Sequence, residues 1–140
     1  MNTAHEEAER LIAEAPSPGW LREVADELDR AVRTHPLERL TTLWGLSNAE
    51  AARLFGVSRQ AFSKWFENGI PSERAEAVAD LAGATNILDR KLKRERIPAV
   101  VRRRAPSLGG ESLYAIGCEG RHRDVRDAVA TMFDLRRVQP

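Results

Sequence analysis

Residues 47–66, SNAEAARLFGVSRQAFSKWF, constrain the fold of this chain more than any other stretch. They read as two short helices joined at Gly56. Glycine takes a left-handed backbone without steric penalty, and it follows Phe55 where the first helix must end. Ser58 is a good N-cap for the second helix, able to satisfy its free amide groups. At about 100° per residue from Arg59, the polar Arg59, Gln60, Ser63 and Lys64 centre near about 70°, and Ala61, Phe62 and Trp65 near about 250°. The two faces are opposed, with Phe66 on the border. Ala52 is small where two crossing helices must approach, and Leu54, Phe55, Val57 and Phe62 can fill the space between them. Two helices this short cannot bury a core alone, so the rest of the chain must supply supports.

Those supports read as further helices. Alanine, leucine, glutamate and arginine dominate and strand-forming runs are scarce, which gives an all-α fold. An amphipathic helix is expected at 3–15, with Ala4, Ala8, Leu11, Ile12 and Ala15 near one side, broken by Pro16, Ser17, Pro18 and Gly19. A second is expected at 20–34, with Leu21, Val24, Leu28, Ala31 and Val32 as its stripe. His35 and Pro36 punctuate. A support helix at 37–45 then brings Leu40, Leu43 and Trp44 beneath the helical pair. Asn68, Gly69 and Ile70 form a turn, and Pro71 opens a longer helix through Ala77, Val78 and Leu81. Gly83 marks a joint, and the continuation at 86–96 carries Ile87, Leu88 and Leu92. Pro98 begins a new piece and Pro106 ends it. Gly109 and Gly110 make a turn, and Ser112 caps a short helix holding Leu113 and Ile116. Gly117 and Gly120 release the chain. A last helix at 121–133 turns Val125, Ala128, Val129 and Met132 inward, and 135–140 is a loose end. The resulting division is 1–36 for N-terminal helices, 37–97 for the central helical unit and 98–140 for a small helical C-terminal region.

Net charge is only +1, but its distribution is uneven. Residues 1–40 carry −4, 41–89 carry −2, 90–104 carry +7 and 105–140 balance. Within 47–66, Arg53, Arg59 and Lys64 stand against Glu50. The basic run RKLKRERIPAVVRRR is a candidate phosphate-contacting surface, with Arg102, Arg103 and Arg104 at its end. No run of about 18 apolar residues exists, so no membrane span is expected. The acidic N-terminus lacks a signal-peptide pattern, and the single cysteine cannot form an internal disulfide. A cytoplasmic protein follows as the expectation.

The polar face of the second short helix suits duplex DNA. Arginine can bind both acceptors on a guanine edge, and glutamine can pair with adenine. A helix N-terminus favours a phosphate oxygen. The same periodicity also suits an ordinary helical hairpin with a solvated polar face. Ala52, Gly56, Val57, Phe62 and Trp65 resemble the small, glycine and apolar positions of the Cro/repressor-like (Xre) helix-turn-helix, although that family more often has an aliphatic residue where Phe62 stands. The resemblance implies that Arg59, Gln60, Ser63 and Lys64 face the major groove, with Asn48 and Ser58 at helix N-termini near phosphates. One such unit reads few base pairs, so a homodimer on an inverted repeat is expected, with half-sites about 10 bp apart or a multiple of that.

The tail is similar to a second pattern. Pro106, Leu108, Gly109, Gly110, Ser112, Leu113, Gly120 and Val125 match a P-x-L-G-G-x-[ST] turn, a short helix, a glycine and a final amphipathic helix. These resemble the C-terminal toxin-binding domain of the Xre/MbcA/ParS antitoxin family, in which an Xre-like reader comes first, as here. The two resemblances cover residues 37–133. They imply those eight residues as a partner-binding set, a RES-type toxin that consumes NAD as the partner, and repression of the protein's own operon. Leu113 stands where that family often has proline. The alternative is a stand-alone Xre-type transcription factor or phage-type repressor whose tail serves dimerisation.

Nothing points to an enzyme, a metal or a cofactor. His5, His35 and His122 lie far apart and lack metal-ligand spacing with Cys118. Leu108-Gly109-Gly110-Glu111 lacks the flanking strand and following lysine of a phosphate-binding loop. Cys118 reads as a buried, inert thiol.

Overall fold

The computed structural model describes residues 18–134, and only the backbone of residues 18 and 29–34. Its order is α1 (Pro18–Trp44), α2 (Asn48–Phe55), α3 (Arg59–Asn68), α4 (Ala75–Lys91), α5 (Ile97–Arg102), α6 (Leu113–Cys118) and α7 (His122–Met132). Single 3-10 turns at Ser72–Arg74, Arg94–Arg96 and Pro106–Leu108 link the later helices. Among the described residues there is no strand, only an isolated bridge between Ala105 and Glu111. The fold is all-helical. The helix expected at 3–15 and the loose end at 135–140 lie outside the described residues.

α1 runs unbroken through Pro36, against the break expected there. An internal proline loses one hydrogen bond and crowds the preceding turn, at about 3 kcal/mol. Beyond it, Leu37, Leu40, Leu43 and Trp44 are all buried. At about 1.5–3 kcal/mol for each such side chain, that burial outweighs the proline. The helix then stops at Gly45, whose φ of +66° is a left-handed exit. Gly45 N–H donates to Thr42 O and Leu46 N–H to Thr41 O, which satisfies two terminal carbonyls.

Three other expectations give way to tertiary packing. α4 passes straight through Gly83, so there is no joint at 83, and the continuation expected to run to 96 stops at Lys91, ahead of the 3-10 turn at Arg94–Arg96. A glycine costs an interior helix about 1 kcal/mol relative to alanine, less than the buried Val78, Leu81, Ala84 and Leu88 supply. Gly83 faces Arg126 of α7, and α4 and α7 share the most extensive helix interface. Gly117 does not release the chain. It is a buried residue of α6, and a Cβ there would lie 2.4 Å from Leu54 Cδ1. Met132 is 42% exposed rather than inward, because α7 ends there and Val125 and Val129 take its buried stripe.

One hydrophobic cluster joins all seven helices, from Leu37 to Val129. Residues on both sides of position 97 share it: Ile97, Val101, Leu113 and Val125 are as buried as Trp44 and Phe55. Its polar members are paired. Trp44 Nε1–H donates to Thr85 Oγ1 at 3.0 Å, and Thr85 donates to Leu81 O at 2.7 Å. Among the described residues no helix is long and apolar enough to cross a membrane.

Candidate functional site

The candidate surface is built on α2 and α3, and both helices are capped at the start. Ser47 Oγ accepts from Glu50 N–H at 3.1 Å, while Glu50 Oε1 accepts from Ser47 N–H at 3.0 Å. This is a reciprocal capping box. The Ser47 backbone N–H is the main reason the Glu50 carboxyl sits below its ordinary range, with the Ser47 hydroxyl and Arg102 adding to it. Ser47 is therefore the cap, and Asn48 is the first helical residue, exposed on the first turn. Ser58 caps α3, its Oγ accepting from Ala61 N–H at 3.1 Å.

Between the helices, Gly56 has φ +66° and nothing that a Cβ would meet, so the left-handed turn itself demands glycine. The last four carbonyls of α2 run out of helical N–H donors, and each finds a partner at Gly56 or beyond it, Gly56 N–H being shared between Ala52 O and Arg53 O. Val57 N–H donates to Ala52 O at 3.0 Å and Gly56 N–H to Arg53 O at 3.1 Å. His122 Nε2 lies 2.9 Å from Leu54 O, and Arg74 Nη1 donates to Phe55 O at 3.1 Å.

The inner face of α3 is an aromatic layer. Phe62 is fully buried and Trp65 is 5% exposed. Phe55 of α2 stacks on Phe62, centroids 6.1 Å apart, and meets Trp65 edge-on at 5.4 Å. Such pairs add about 0.5–1.5 kcal/mol beyond area burial. Phe66 packs edge-on against Phe62 at 5.3 Å, half-buried at the border. With one face fixed, the opposite face is displayed. Arg59, Gln60, Ser63 and Lys64 are all exposed and, with Glu67, line one open depression. The side chains of Arg59, Gln60 and Lys64 have no partner among the described residues. Glu67 was within reach of the sequence: at about 80° it falls in the middle of the polar face.

The basic run divides. Arg102 is committed to the protein itself. Its Nη1 donates to Trp44 O at 2.8 Å and Pro98 O at 3.2 Å, and its Nη2 to Gly45 O at 2.8 Å and Glu50 Oε2 at 3.4 Å. It caps α1 at the negative end of the helix dipole and joins that end to the start of α2. The guanidinium expected to contact phosphate is thus engaged within the protein, with its side chain 36% exposed. Arg103 and Arg104 are exposed and unpaired among the described residues, next to this junction. Arg94 is held by Asp89, at 2.9 Å, and Arg39 also binds Asp89 at 2.5 Å and Asn86. Arg94 foremost, then Arg39, holds the Asp89 carboxyl below its ordinary range.

The tail set divides as well. Leu113 and Val125 are fully buried and Ser112 is 8% exposed, its hydroxyl accepting from Ala115 N–H at 3.1 Å. These three serve the chain's own core and cap in this fold. Pro106, Gly109, Gly110 and Gly120 are exposed, and Leu108 is half-buried. Leu108 and Gly109 open onto a groove bordered by Glu111, Ile116, Glu119, Arg121 and Asp124. Arg121 there binds Asp124 at 2.8 Å and Glu119 at 3.4 Å. α6 also leans on α2: Tyr114 Oη–H donates to Glu50 O at 2.8 Å. Burial pushes the Cys118 thiol above its ordinary value, which disfavours the reactive thiolate. Among the described residues, no three His, Cys, Asp or Glu side chains stand together so as to hold a metal ion.

Comparison with protein-family models finds no match, and neither does comparison with curated proteins or with solved structures.

Proposed function

We propose that the chain is a sequence-specific DNA-binding regulator that reads the major groove with α3 in the manner of a Cro/repressor-like helix-turn-helix. The observation that carries this reading is the exposed set Arg59, Gln60, Ser63 and Lys64 on one face of a helix whose other face is locked by Phe62 and Trp65. Guanidinium and carboxamide groups aimed outward from one rigid face are the chemistry that base edges require. The start of α2, with Asn48, and Ser58 at the start of α3 offer helix N-termini to the flanking phosphates. Arg103 and Arg104 add phosphate attraction from the α5 side.

In the fuller form of the proposal the chain is the antitoxin of a type II pair. It represses its own operon as a homodimer and neutralises a RES-type toxin through the exposed part of the tail, around Pro106, Leu108, Gly109, Gly110 and Gly120. A second reading is a stand-alone repressor whose tail is structural. The complete burial of Leu113 and Val125 favours it. Selection of bound sequences from random duplex DNA tests the common step. An inverted repeat with half-sites about 10 bp apart, or a multiple of that, is the expected product. No enrichment would contradict both readings. Co-purification with the product of an adjacent reading frame, lost when the Pro106–Leu108 turn is altered, separates the first from the second.

A further inference from the structure

The two α2 carbonyls that the turn leaves open are met from far along the chain, Phe55 O by Arg74 and Leu54 O by His122, 68 residues on. We propose that His122 is a positioning residue for DNA reading: its ring N–H, donated from the start of α7 to Leu54 O, sets where α2 ends and thereby aims α3. The inference rests on the DNA reading above. A carbonyl only accepts, so Nε2 is the protonated nitrogen. The ring is 8% exposed and tilted over Phe55 at 5.8 Å, and Phe55 in turn stacks on Phe62 under α3. His122 thus touches both the end of α2 and the aromatic layer that carries the exposed face.

Removing its N–H leaves a buried carbonyl unsatisfied, and the last turn of α2 is then driven toward water. Gly56 and α3 move with that turn, while base-edge hydrogen bonds are made only over a narrow range of distance and angle. His122 also follows Arg121, which borders the tail groove, so whatever grips that groove acts one residue from the α2 clamp.

The test uses the full chain and a duplex selected by the wild type. His122→Phe keeps a ring and removes the donor, whereas His122→Gln keeps a donor. H122F is expected to remain helical and to bind about tenfold more weakly. Its log–log salt dependence should be unchanged, and the Gly56 and Val57 amides should exchange faster. H122Q should recover most of the affinity. Wild-type affinity in folded H122F overturns the proposal, and so does weaker binding with a shallower salt slope, which would make His122 a phosphate contact. If H122F does not fold, His122→Asn decides, since its shorter amide reaches only as far as the ring Nδ1 and leaves Leu54 O without the Nε2 donor. Weaker binding at constant salt slope supports the clamp, and unchanged binding overturns it. Failure of the wild type to select any duplex overturns the DNA reading, and this inference with it, before any substitution is made.

Discussion

Arg102 holds the end of α1 through Trp44, its Nη1 donating to the Trp44 carbonyl at 2.8 Å. The same guanidinium reaches Gly45 O and Glu50, so one side chain ties the end of α1 to the start of α2. Arg102→Met should lower stability by about 1–2 kcal/mol in urea unfolding. It should leave the salt dependence of DNA binding unchanged. Neutralising Arg103 and Arg104 should do the reverse, with little change in stability and a slope shallower by about 0.9 for each phosphate left without its arginine. A shallower slope for R102M would return Arg102 to the phosphate set.

Gly117 lets α6 lie against α2, because a Cβ there would be 2.4 Å from Leu54 Cδ1. Leu54 is fully buried and cannot swing aside into water. Gly117→Ala should therefore destabilise by about 1–3 kcal/mol through overpacking. Combined with Leu54→Ala, the two effects should fall short of their sum, since the smaller side chain admits the new methyl. Strict additivity in unfolding measurements would show that the close approach carries no strain.

Tyr114 is the single tyrosine, so its ionisation can be followed directly in the ultraviolet. Burial, and next the neighbouring Cys118 thiol, push its phenol from 10.0 up to about 12. A raised folded value favours the neutral form. Its contribution to stability is complete below 10.0 and is lost as pH rises through 12. The folded chain should titrate near 12 and the urea-unfolded chain near 10.0. One midpoint in both states would contradict the burial of the phenol beside Cys118.

Glu50 works in the opposite direction. Its carboxyl is held below 4.5, first by the Ser47 N–H and then by the Ser47 hydroxyl and Arg102. A depressed carboxylate stabilises the fold above its unfolded value, and that contribution disappears as pH falls through the folded value. The stability advantage of wild type over Glu50→Gln should be full at neutral pH and vanish below 4.5. A difference that stays constant with pH would assign the effect to geometry rather than charge.

The residues that were legible in sequence are those whose roles are local. Gly56, Ser58 and the opposed faces of α3 follow from cap chemistry and helical period within a few positions. The Ser47-x-x-Glu50 capping box and Glu67 on the polar face carried the same kind of signal and are added by the structure. Pro36 and Gly83 mislead because a local breaker counts for less than the burial on either side of it. Gly117 is a packing glycine and Arg102 a cap for the same reason: their partners, Leu54 and Trp44, lie more than 50 residues away in sequence, beyond any local pattern. His122, clamped to Leu54 O, is the extreme case.

The central claim is that α3 reads base edges, and Arg59 is its most direct probe. Wild type and Arg59→Ala should be compared on random duplex DNA by selection, with affinities measured on the enriched sites. Arg59→Ala should lose preference at one base position of each half-site, at about 1–3 kcal/mol, with the other positions kept. Identical base profiles, or an equal loss of affinity on every sequence, would contradict base reading by this helix.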